Sequence, residues 1–218
     1  MAHLKRQGIG KFWPIPRKGT KYLAVSTHNQ KESIPLVVVM RDILKFVRNK
    51  KELKRILNEK QVFINHKQIK ETNYPVCLFD VISFPKIKKN YRASLSKNKK
   101  MILEEISDKD AETKVYKIIN KKILPKGKLQ LNLMQGKNII SDKKVNIGDS
   151  VVLNLKNDEI VKAIPLEKGR RVFALRGKHA GSSGKVVDIM ERGGKKIAKI
   201  LVDDKRINVW TKNIIAVE

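Results

Sequence analysis

The sequence predicts an α+β protein built from several small domains. The chain has 218 residues, of which 41% are hydrophobic, and this is enough for two or three modules with modest cores. Apolar residues recur at helical spacing near residue 40 and change to strand-like alternation after residue 86. Turn signals separate short apolar runs in the second half. We therefore expect a helical module followed by two small β domains.

The net charge restricts function more than any other feature. The chain carries 49 Lys and Arg residues against 21 Asp and Glu residues, which gives a formal charge of +28. A folded protein with this much self-repulsion needs a polyanion that neutralises it, and nucleic acid is the polymer that does so most completely. The sequence therefore predicts a folded RNA- or DNA-binding protein.

Composition also excludes several kinds of site. Cys77 is the only cysteine, so neither an intrachain disulfide nor a cysteine-cluster zinc site is possible, and we expect Cys77 to be a buried small hydrophobic residue. No apolar run approaches the roughly 20 residues that a membrane-spanning helix needs, and the first residues lack the apolar stretch of a secretory signal. We therefore expect a cytoplasmic protein that contacts no membrane.

We interpret residues 1–34 as an irregular basic arm, because Gly and Pro residues prevent regular structure and few apolar residues are available for a core. Such an arm becomes ordered against phosphates. Its candidate RNA-binding residues are Lys5, Arg6, Lys11, Trp13, Arg17 and Lys18. Trp13 has two interpretations: its indole stacks on an unpaired base, or it anchors the arm to the protein's own core.

Residues 35–85 contain the clearest helical signal in the chain. Apolar residues recur on one helical face from Leu36 to Val47. Asn49 then suits the N-cap of a second helix, and Glu52 three residues later completes a capping box. The basic residues of this region fall off the apolar faces, and the candidate RNA-binding residues are Arg41, Lys50, Lys51, Lys54, Arg55 and Lys60.

Strands begin in the same segment and dominate the next one. A short hairpin that turns at Asn65 and His66 and a closing strand complete the helical module. In residues 86–165 turns separate several short strands. The apolar positions alternate strictly at Leu129, Leu131 and Leu133 and approximately at residues 152–155. We expect a small barrel or sandwich there.

Residues 166–218 are predicted to form a last small β unit, an SH3-like barrel of five strands. The loop between its first two strands contains Gly177, Gly181 and Gly184, which permit tight turns and close approach to a ligand. The loop is not a Walker A site, because it joins two strands and does not open a helix. Its candidate RNA-binding residues are Arg176, Lys178 and His179.

No residue pattern indicates an enzyme or a metalloprotein. The four histidines are scattered without the spacing of metal ligands, and no nucleophile is paired with a base in a recognisable motif. We therefore expect no catalytic activity, no cofactor, no metal and no small-molecule substrate.

Taken in this order, the segments resemble the small-subunit ribosomal protein family S4e of archaea and eukaryotes over nearly the whole chain. His3-Leu4-Lys5-Arg6 and Trp13-Pro14-Ile15 look like the family's N-terminal arm, and residues 41–84 are similar to the S4 RNA-binding domain. Gly127–Leu133 looks like its central domain, and Gly177–Val186 is similar to the KOW motif. The S4-type and KOW motifs recur in unrelated RNA-binding proteins, but their combination with the arm and the central segment is specific.

The resemblance implies a structural constituent of the small ribosomal subunit that binds ribosomal RNA and supports translation in the cytoplasm. Its implied partners are small-subunit ribosomal RNA and neighbouring ribosomal proteins. It also implies a division of the chain into an arm (1–34), an S4-type RNA-binding domain (35–85), a central β domain (86–165) and a KOW barrel (166–218).

Three positions depart from the pattern of the family. Lys60 and His66 stand where glycine is usual, and Arg176 stands where relatives often have a second glycine before Gly177. A side chain makes a left-handed turn more costly than glycine does. The added positive charges of Lys60 and Arg176, however, favour phosphate contact.

Two other functions remain as alternatives. A transcription or RNA-processing factor that contains a KOW domain would explain the C-terminal unit but not the arm and helical module together. An RNA-modifying enzyme with an S4-type domain, such as a pseudouridine synthase, would also need a large catalytic domain, whereas short basic strands occupy the residues after Phe84.

Overall fold

The computed structural model describes residues 3–141, 143–203 and 205–217. It divides the chain into two compact units, residues 1–112 and 113–218. Strands far outnumber helices among the described residues, so the fold is mostly β with few helices and is more strongly β than the predicted α+β class suggests. The division into four domains is finer than these two units and remains a prediction.

The first unit combines short helices with antiparallel sheets. Its strands and helices are β1 (Leu4–Lys5), β2 (Tyr22–Leu23), β3 (Ser33–Pro35), α1 (Leu36–Val38), α2 (Lys50–Asn58), β4 (Phe63–Ile64), β5 (Lys67–Gln68), β6 (Pro75–Cys77), β7 (Val81–Phe84), β8 (Lys89–Leu95), β9 (Met101–Ile106) and α3 (Asp108–Ala111). β1 pairs with β2, and β3 pairs with β6. The largest sheet has the order β5-β4-β7-β8-β9, so it continues past residue 85 through the pairing of β7 with β8.

The N-terminal segment is more ordered than the irregular arm that the sequence predicts. The guanidinium group of Arg6 donates hydrogen bonds to the carbonyl oxygens of Thr20 and Pro16, both at 2.7 Å, and to the hydroxyl of Thr20 at 2.9 Å. The N–H of Met101 donates to the carbonyl of Phe12 at 2.8 Å. Gly and Pro residues therefore prevent long elements in this segment, but they do not prevent it from packing onto the first unit.

The first helical segment is shorter than its apolar pattern predicts. α1 continues as a π-helical turn over Val39–Ile43, and Lys45 then adopts a left-handed backbone with φ of +58°. The N–H of Phe46 donates to the carbonyl of Met40 at 2.9 Å, a bond back into the helix like those that close helices at a left-handed residue. Val47 is buried beyond this end, although it no longer belongs to the helix.

The second helix begins where the sequence predicts. Asn49 is the N-cap of α2, and its side-chain oxygen accepts the N–H of Glu52 at 3.0 Å. The carboxylate of Glu52 accepts the N–H of Arg48 at 2.7 Å and the side-chain amide of Asn49 at 3.2 Å, so its backbone contact is one residue before the N-cap. Leu53 and Leu57 are fully buried, which confirms the apolar face of this helix.

The hairpin turn between β4 and β5 is held by a buried carboxylate. Asp80, buried before β7, accepts the N–H of Cys77 at 2.6 Å and the side-chain amide of Asn65 at 2.7 Å. The amide oxygen of Asn65 accepts the N–H of Val81 at 3.0 Å. Cys77 is a free, buried cysteine, as expected. This network fixes the turn against β7, because each buried polar group in it has a partner.

Two of the three departures from the family lie at left-handed backbone positions. Asn65 and His66 have φ of +50° and +60°, the pair of positive values that a type I′ hairpin turn requires, and Lys60 has φ of +56°. This conformation is easily adopted by glycine and costs other residues free energy. The turn geometry is therefore retained at both positions despite the side chains.

The second unit consists of two antiparallel sheets. Its strands are β10 (Thr113–Ile123), β11 (Leu129–Leu133), β12 (Asn138–Ile140), β13 (Ser150–Asn154), β14 (Ile160–Ile164), β15 (Arg171–Ala174), β16 (Ser183–Arg192), β17 (Lys195–Val202), β18 (Lys205–Trp210) and β19 (Ile214–Ala216). The orders are β12-β11-β10-β13-β14 and β18-β17-β16-β15-β19. The strictly alternating leucines lie in β11, and Leu131 and Leu133 are buried in the core of the first of these sheets.

The C-terminal segment contains the five strands predicted for it, but its sheet is open. Among the described residues, β18 and β19 are the two edges of this sheet and do not pair with each other. The closed SH3-like barrel is therefore not confirmed. Alternation predicts the strands because it is a local pattern, whereas closure depends on the curvature of the whole sheet.

Two polar contacts join the sheets of the second unit. Lys117 in β10 is 6% exposed, and its ammonium group donates to the carbonyl oxygens of Thr211 and Ile214, the latter at 2.7 Å. The N–H of Ala216 in β19 donates to the hydroxyl of Ser150 in β13 at 2.9 Å. Burial lowers the pKa of Lys117 to about 8, because the charged amine loses hydration.

Replacement of Lys60 by glycine should stabilise the first unit by about 0.5–1 kcal/mol. The left-handed backbone costs a residue with a side chain roughly 1–2 kcal/mol, which glycine avoids. Glycine offsets part of this gain because it raises the conformational entropy of the unfolded chain. Lys54→Gly is the matched control: it removes the same charge but places glycine inside α2, where it should cost about 1 kcal/mol. Urea unfolding of both variants measures the difference. Equal destabilisation by the two substitutions would show that Lys60 is not strained.

The free energy of unfolding should depend on pH through Lys117. Its pKa is about 8 in the folded protein and 10.5 in the reference state. Between these values the unfolded chain binds more protons, so the contribution of Lys117 to stability rises as pH increases from 8 towards 10.5 and is constant below 8.

The variant Lys117→Met isolates this effect, because the two proteins differ only at this residue. Guanidinium unfolding across this pH interval should show the wild type gaining stability relative to the variant. Parallel pH profiles would contradict a depressed pKa at Lys117.

Candidate nucleic-acid interface

The predicted RNA-binding residues lie in three groups, two in the first unit and one in the second. The exposed ones are Lys5, Lys11, Arg17, Lys18, Arg41, Lys50, Lys51, Lys54, Arg55, Lys60, Arg176 and Lys178. Arg6 and His179 are half-buried, and Trp13 is buried. Most of the predicted cations are therefore accessible to a polyanion.

The N-terminal group surrounds a small cavity. Arg6, Lys11, Trp13 and Arg17 line a space of about 100 Å³ together with Lys100. Lys100 is not among the candidate RNA-binding residues named from the sequence, and its ammonium group donates to the carbonyl of Trp13 at 2.8 Å. Its one sequence signal is a short lysine-rich turn before β9, so only the fold places it beside the N-terminal cations.

The burial of Trp13 restricts its role in RNA binding. Its side chain is 2% exposed, whereas stacking requires that a base reach one face of the indole. The burial favours the second interpretation given above, in which Trp13 anchors the N-terminal segment to the protein's own core.

The helix α2 presents the clearest cationic face. Lys50, Lys51 and Lys54 are exposed, and none of them forms an ion pair with a described carboxylate. Lys50 and Lys51 also lie in the first turn of the helix, where positive charge opposes the helix dipole. An anion beside these lysines would therefore relieve an unfavourable interaction as well as form a favourable one.

The two predicted arginines of the helical module, Arg41 and Arg55, are engaged with carboxylates. Arg41 binds Asp42 through two nitrogens at 3.0 and 2.8 Å, and the hydrogen bond to Asp42 raises the pKa of Arg41. Arg55 binds Glu59 one turn later at 3.1 Å. Exposed pairs of this kind contribute about 0–1 kcal/mol, so a phosphate competes with them at small cost.

Two different constraints require glycine in the loop between β15 and β16 and at the start of β16. Gly177 and Gly181 have φ of +93° and +86°, and the N–H of Gly181 donates to the carbonyl of Ala174 at 2.8 Å. At Gly184 a Cβ would lie 2.2 Å from the carbonyl oxygen of Leu201. The close approach expected at Gly184 is therefore to the protein's own strand β17 and not to a ligand. Arg176, Lys178 and half-buried His179 lie on this loop.

A second basic cleft was not selected by the sequence analysis. Lys162, Arg170 and Arg171 line a cavity of about 340 Å³ between β14 and the start of β15. The sequence signal is the basic pair Arg170-Arg171 after Gly169. Nearby, Lys168 contacts Asp188 at 2.7 Å and lowers its pKa, so Asp188 is held by a cation.

The described part of the chain contains neither a metal-binding cluster nor a membrane-spanning helix. No group of three or more His, Cys, Asp or Glu side chains there is placed to hold a metal ion. No helix of residues 3–141, 143–203 or 205–217 combines the length and apolar character needed to cross a membrane.

Comparison with known proteins identifies relatives along nearly the whole chain. The profile of ribosomal family S4e matches residues 87–160. The small ribosomal subunit protein eS4 of Methanospirillum hungatei is 34% identical, covering 93% of this chain and 86% of that protein. The eS4 protein of Methanosphaera stadtmanae is 38% identical, with 92% and 85% covered, and that of Nanoarchaeum equitans is 32% identical, with 99% and 94% covered.

A solved structure shows the same fold. The crystal structure of the 30S ribosomal protein S4e from Thermoplasma acidophilum superposes with a TM-score of 0.73 at 22% identity, covering 85% of this chain and 95% of that chain. The sequence relatives and this fold agree with the order of segments along the chain. The chain therefore belongs to ribosomal protein family S4e, a family of structural proteins of the small ribosomal subunit and not of enzymes.

Proposed function

We propose that this protein binds small-subunit ribosomal RNA and neighbouring small-subunit proteins, as a structural constituent of the ribosome in the cytoplasm. The observation that carries the proposal is that relatives named small ribosomal subunit protein eS4 match 93% and 99% of this chain. An assembled ribosomal protein also accounts for the charge of +28, because closely spaced RNA phosphates neutralise it.

The cationic face of α2 supports RNA binding in particular. Lys50 and Lys54 are one helical turn apart on α2 and both are exposed, whereas Leu53 and Leu57 of the same helix are buried. Each lysine that approaches a phosphate displaces condensed counterions, and the resulting gain in entropy drives binding. The lysines bind backbone and shape, since phosphate contacts position a protein without reading bases.

The other basic groups extend this contact. Lys11 and Arg17, beside the cavity at Trp13, are also exposed, as are Arg176 and Lys178 on the loop after β15. We infer that Lys178 and His179 contact RNA or a neighbouring protein and that the N-terminal segment lies between RNA helices. The KOW-type architecture of the C-terminal unit belongs to this proposal as well.

The double substitution Lys50→Ala/Lys54→Ala should weaken binding to small-subunit RNA without unfolding the protein, because both side chains are exposed. If each lysine neutralises about one phosphate, the slope of log K against log salt should flatten by about two. The corresponding Glu variant should weaken binding further. Filter binding at several salt concentrations measures the slope, and circular dichroism checks the fold.

A matched control removes two charges from the same unit. Lys89 contacts Glu105 at 3.2 Å, and Lys86 contacts Glu59 at 3.8 Å. The variant Lys86→Ala/Lys89→Ala should leave the salt slope nearly unchanged, because these lysines are already paired with carboxylates. Equal flattening by both double variants would mean that net charge, and not the face of α2, determines affinity.

Sedimentation of native extract tests the function as a whole. The chain should co-sediment stoichiometrically with the small ribosomal subunit in a sucrose gradient and should resist a high-salt wash, as followed by mass spectrometry. Release into light fractions at moderate salt would overturn the proposal and favour a transient RNA-processing or transcription factor.

A further inference from the structure

The two tryptophans of the chain have opposite environments. Trp13 is 2% exposed, whereas Trp210, the last residue of the edge strand β18, is 50% exposed. Aromatic side chains bury large areas when they pack in a core, and an exposed apolar patch is informative where an isolated exposed residue is not. The significance of Trp210 therefore depends on whether other exposed apolar side chains adjoin it.

Trp210 belongs to a row of apolar side chains that crosses three strands. It is directly opposite Ile197 in β17, and Ile197 is opposite Met190 in β16. Directly opposed residues share one face of a sheet. Met190 is 38% exposed and Ile197 is half-buried, while Val209 and Ala198, which alternate with them, are buried in the core. The row therefore lies on the outer face of this sheet.

Basic side chains surround this row. The ammonium group of Lys195 lies 4.8 Å from the ring centroid of Trp210. Lys199 and Arg206 follow on the outer face, by the same alternation and register. The acidic residue on this face is Asp188, opposite Lys199, and its carboxylate is held by Lys168 at 2.7 Å. The face is therefore cationic around an aromatic centre.

The exposed indole and the surrounding cations together indicate the chemistry of the ligand. Cations surrounding the row require an anionic partner, and an exposed indole offers a flat surface to a planar group. An unpaired nucleotide has both features, a base with a π-face and a phosphate on each side, and aromatic residues among cations are how proteins hold single-stranded nucleic acid. A base inside a duplex is already stacked and cannot present its face.

We propose that the outer face of the C-terminal sheet is a binding platform for unpaired RNA, in which one base stacks on Trp210 and the flanking phosphates contact Lys195, Lys199 and Arg206. This inference rests on the proposed function, because it concerns the same ribosomal RNA. It adds the place at which the RNA contacts the protein and the single-stranded state of the RNA at that place. Because Lys195 covers one face of the indole, the base occupies the other face.

The test uses the full-length chain and a uridine oligonucleotide of about ten residues, with a duplex RNA of equal length as comparison. Stacking should quench the fluorescence of exposed Trp210 in a saturable way, while buried Trp13 serves as the internal reference. Trp210→Ala should weaken oligonucleotide binding by about tenfold and should leave duplex binding within about twofold. Trp210→Tyr should retain most of the affinity, because tyrosine also stacks.

A control variant removes an exposed apolar side chain from the other sheet of the same unit. Ile140 is exposed in β12, and Ile140→Ala should leave oligonucleotide affinity unchanged. The inference is overturned if Trp210→Ala binds the oligonucleotide as tightly as the wild type, or if it weakens duplex binding equally. It is also overturned if Trp210→Ala reduces incorporation into the small subunit with unchanged oligonucleotide affinity, which would identify a protein-docking face.

The outcomes separate this inference from the proposed function. Co-sedimentation with the small subunit, combined with unchanged oligonucleotide binding by Trp210→Ala, removes the platform and leaves the ribosomal role intact. Failure to co-sediment, combined with a tenfold loss on Trp210→Ala, removes the ribosomal role and leaves a single-strand binding surface.

Discussion

Electrostatic self-repulsion is the constraint on which the rest of this structure depends. A charge of +28 is distributed over two compact units, and the few carboxylates cannot neutralise it internally. Most cations therefore remain at the surface, and the cores are formed by apolar side chains, mainly Val, Ile and Leu. Such a protein gains stability from any polyanion that binds the folded state in preference to the unfolded chain.

The same constraint explains how buried lysines are accommodated. Lys117 donates to the carbonyl oxygens of Thr211 and Ile214, and Lys114 donates to the side-chain oxygen of Gln135 at 2.6 Å and lies 4.4 Å from the ring of Tyr116. In these contacts, neutral oxygen atoms and the ring of Tyr116 stabilise the two lysine ammonium groups. Among the described side chains, no buried nitrogen or oxygen lacks a hydrogen-bond partner, which is what a low-dielectric interior requires.

Buried carboxylates in this chain bind backbone amides. Asp80 accepts the N–H of Cys77, and Asp149 accepts the N–H groups of Asn146 and Leu166 at 2.8 and 3.0 Å. Each of these acids therefore fixes a turn between strands whose own pairing is short. As a result, the surface cations remain available to an external partner, and the small sheets still have a defined geometry.

The sequence by itself determined the features that depend on neighbouring residues. The capping pair Asn49 and Glu52 set the start of α2, alternating leucines predicted β11, and the resemblance to family S4e came from the order of short motifs. The exposed candidates on α2 were predictable for the same reason, since their side chains lie outside the apolar face of that helix. These interactions span a few positions along the chain and are visible in the pattern of residues.

Tertiary structure alone decided the features that join distant positions. It buried Trp13 and placed Lys100 beside it, joined Lys117 to the carbonyl groups near the C-terminus, and left Trp210 exposed at a sheet edge. It also left the C-terminal sheet open where a closed barrel was expected. The burial of a side chain depends on which strands meet in space, and the packing of the whole unit sets those pairings, whereas the local pattern of residues does not.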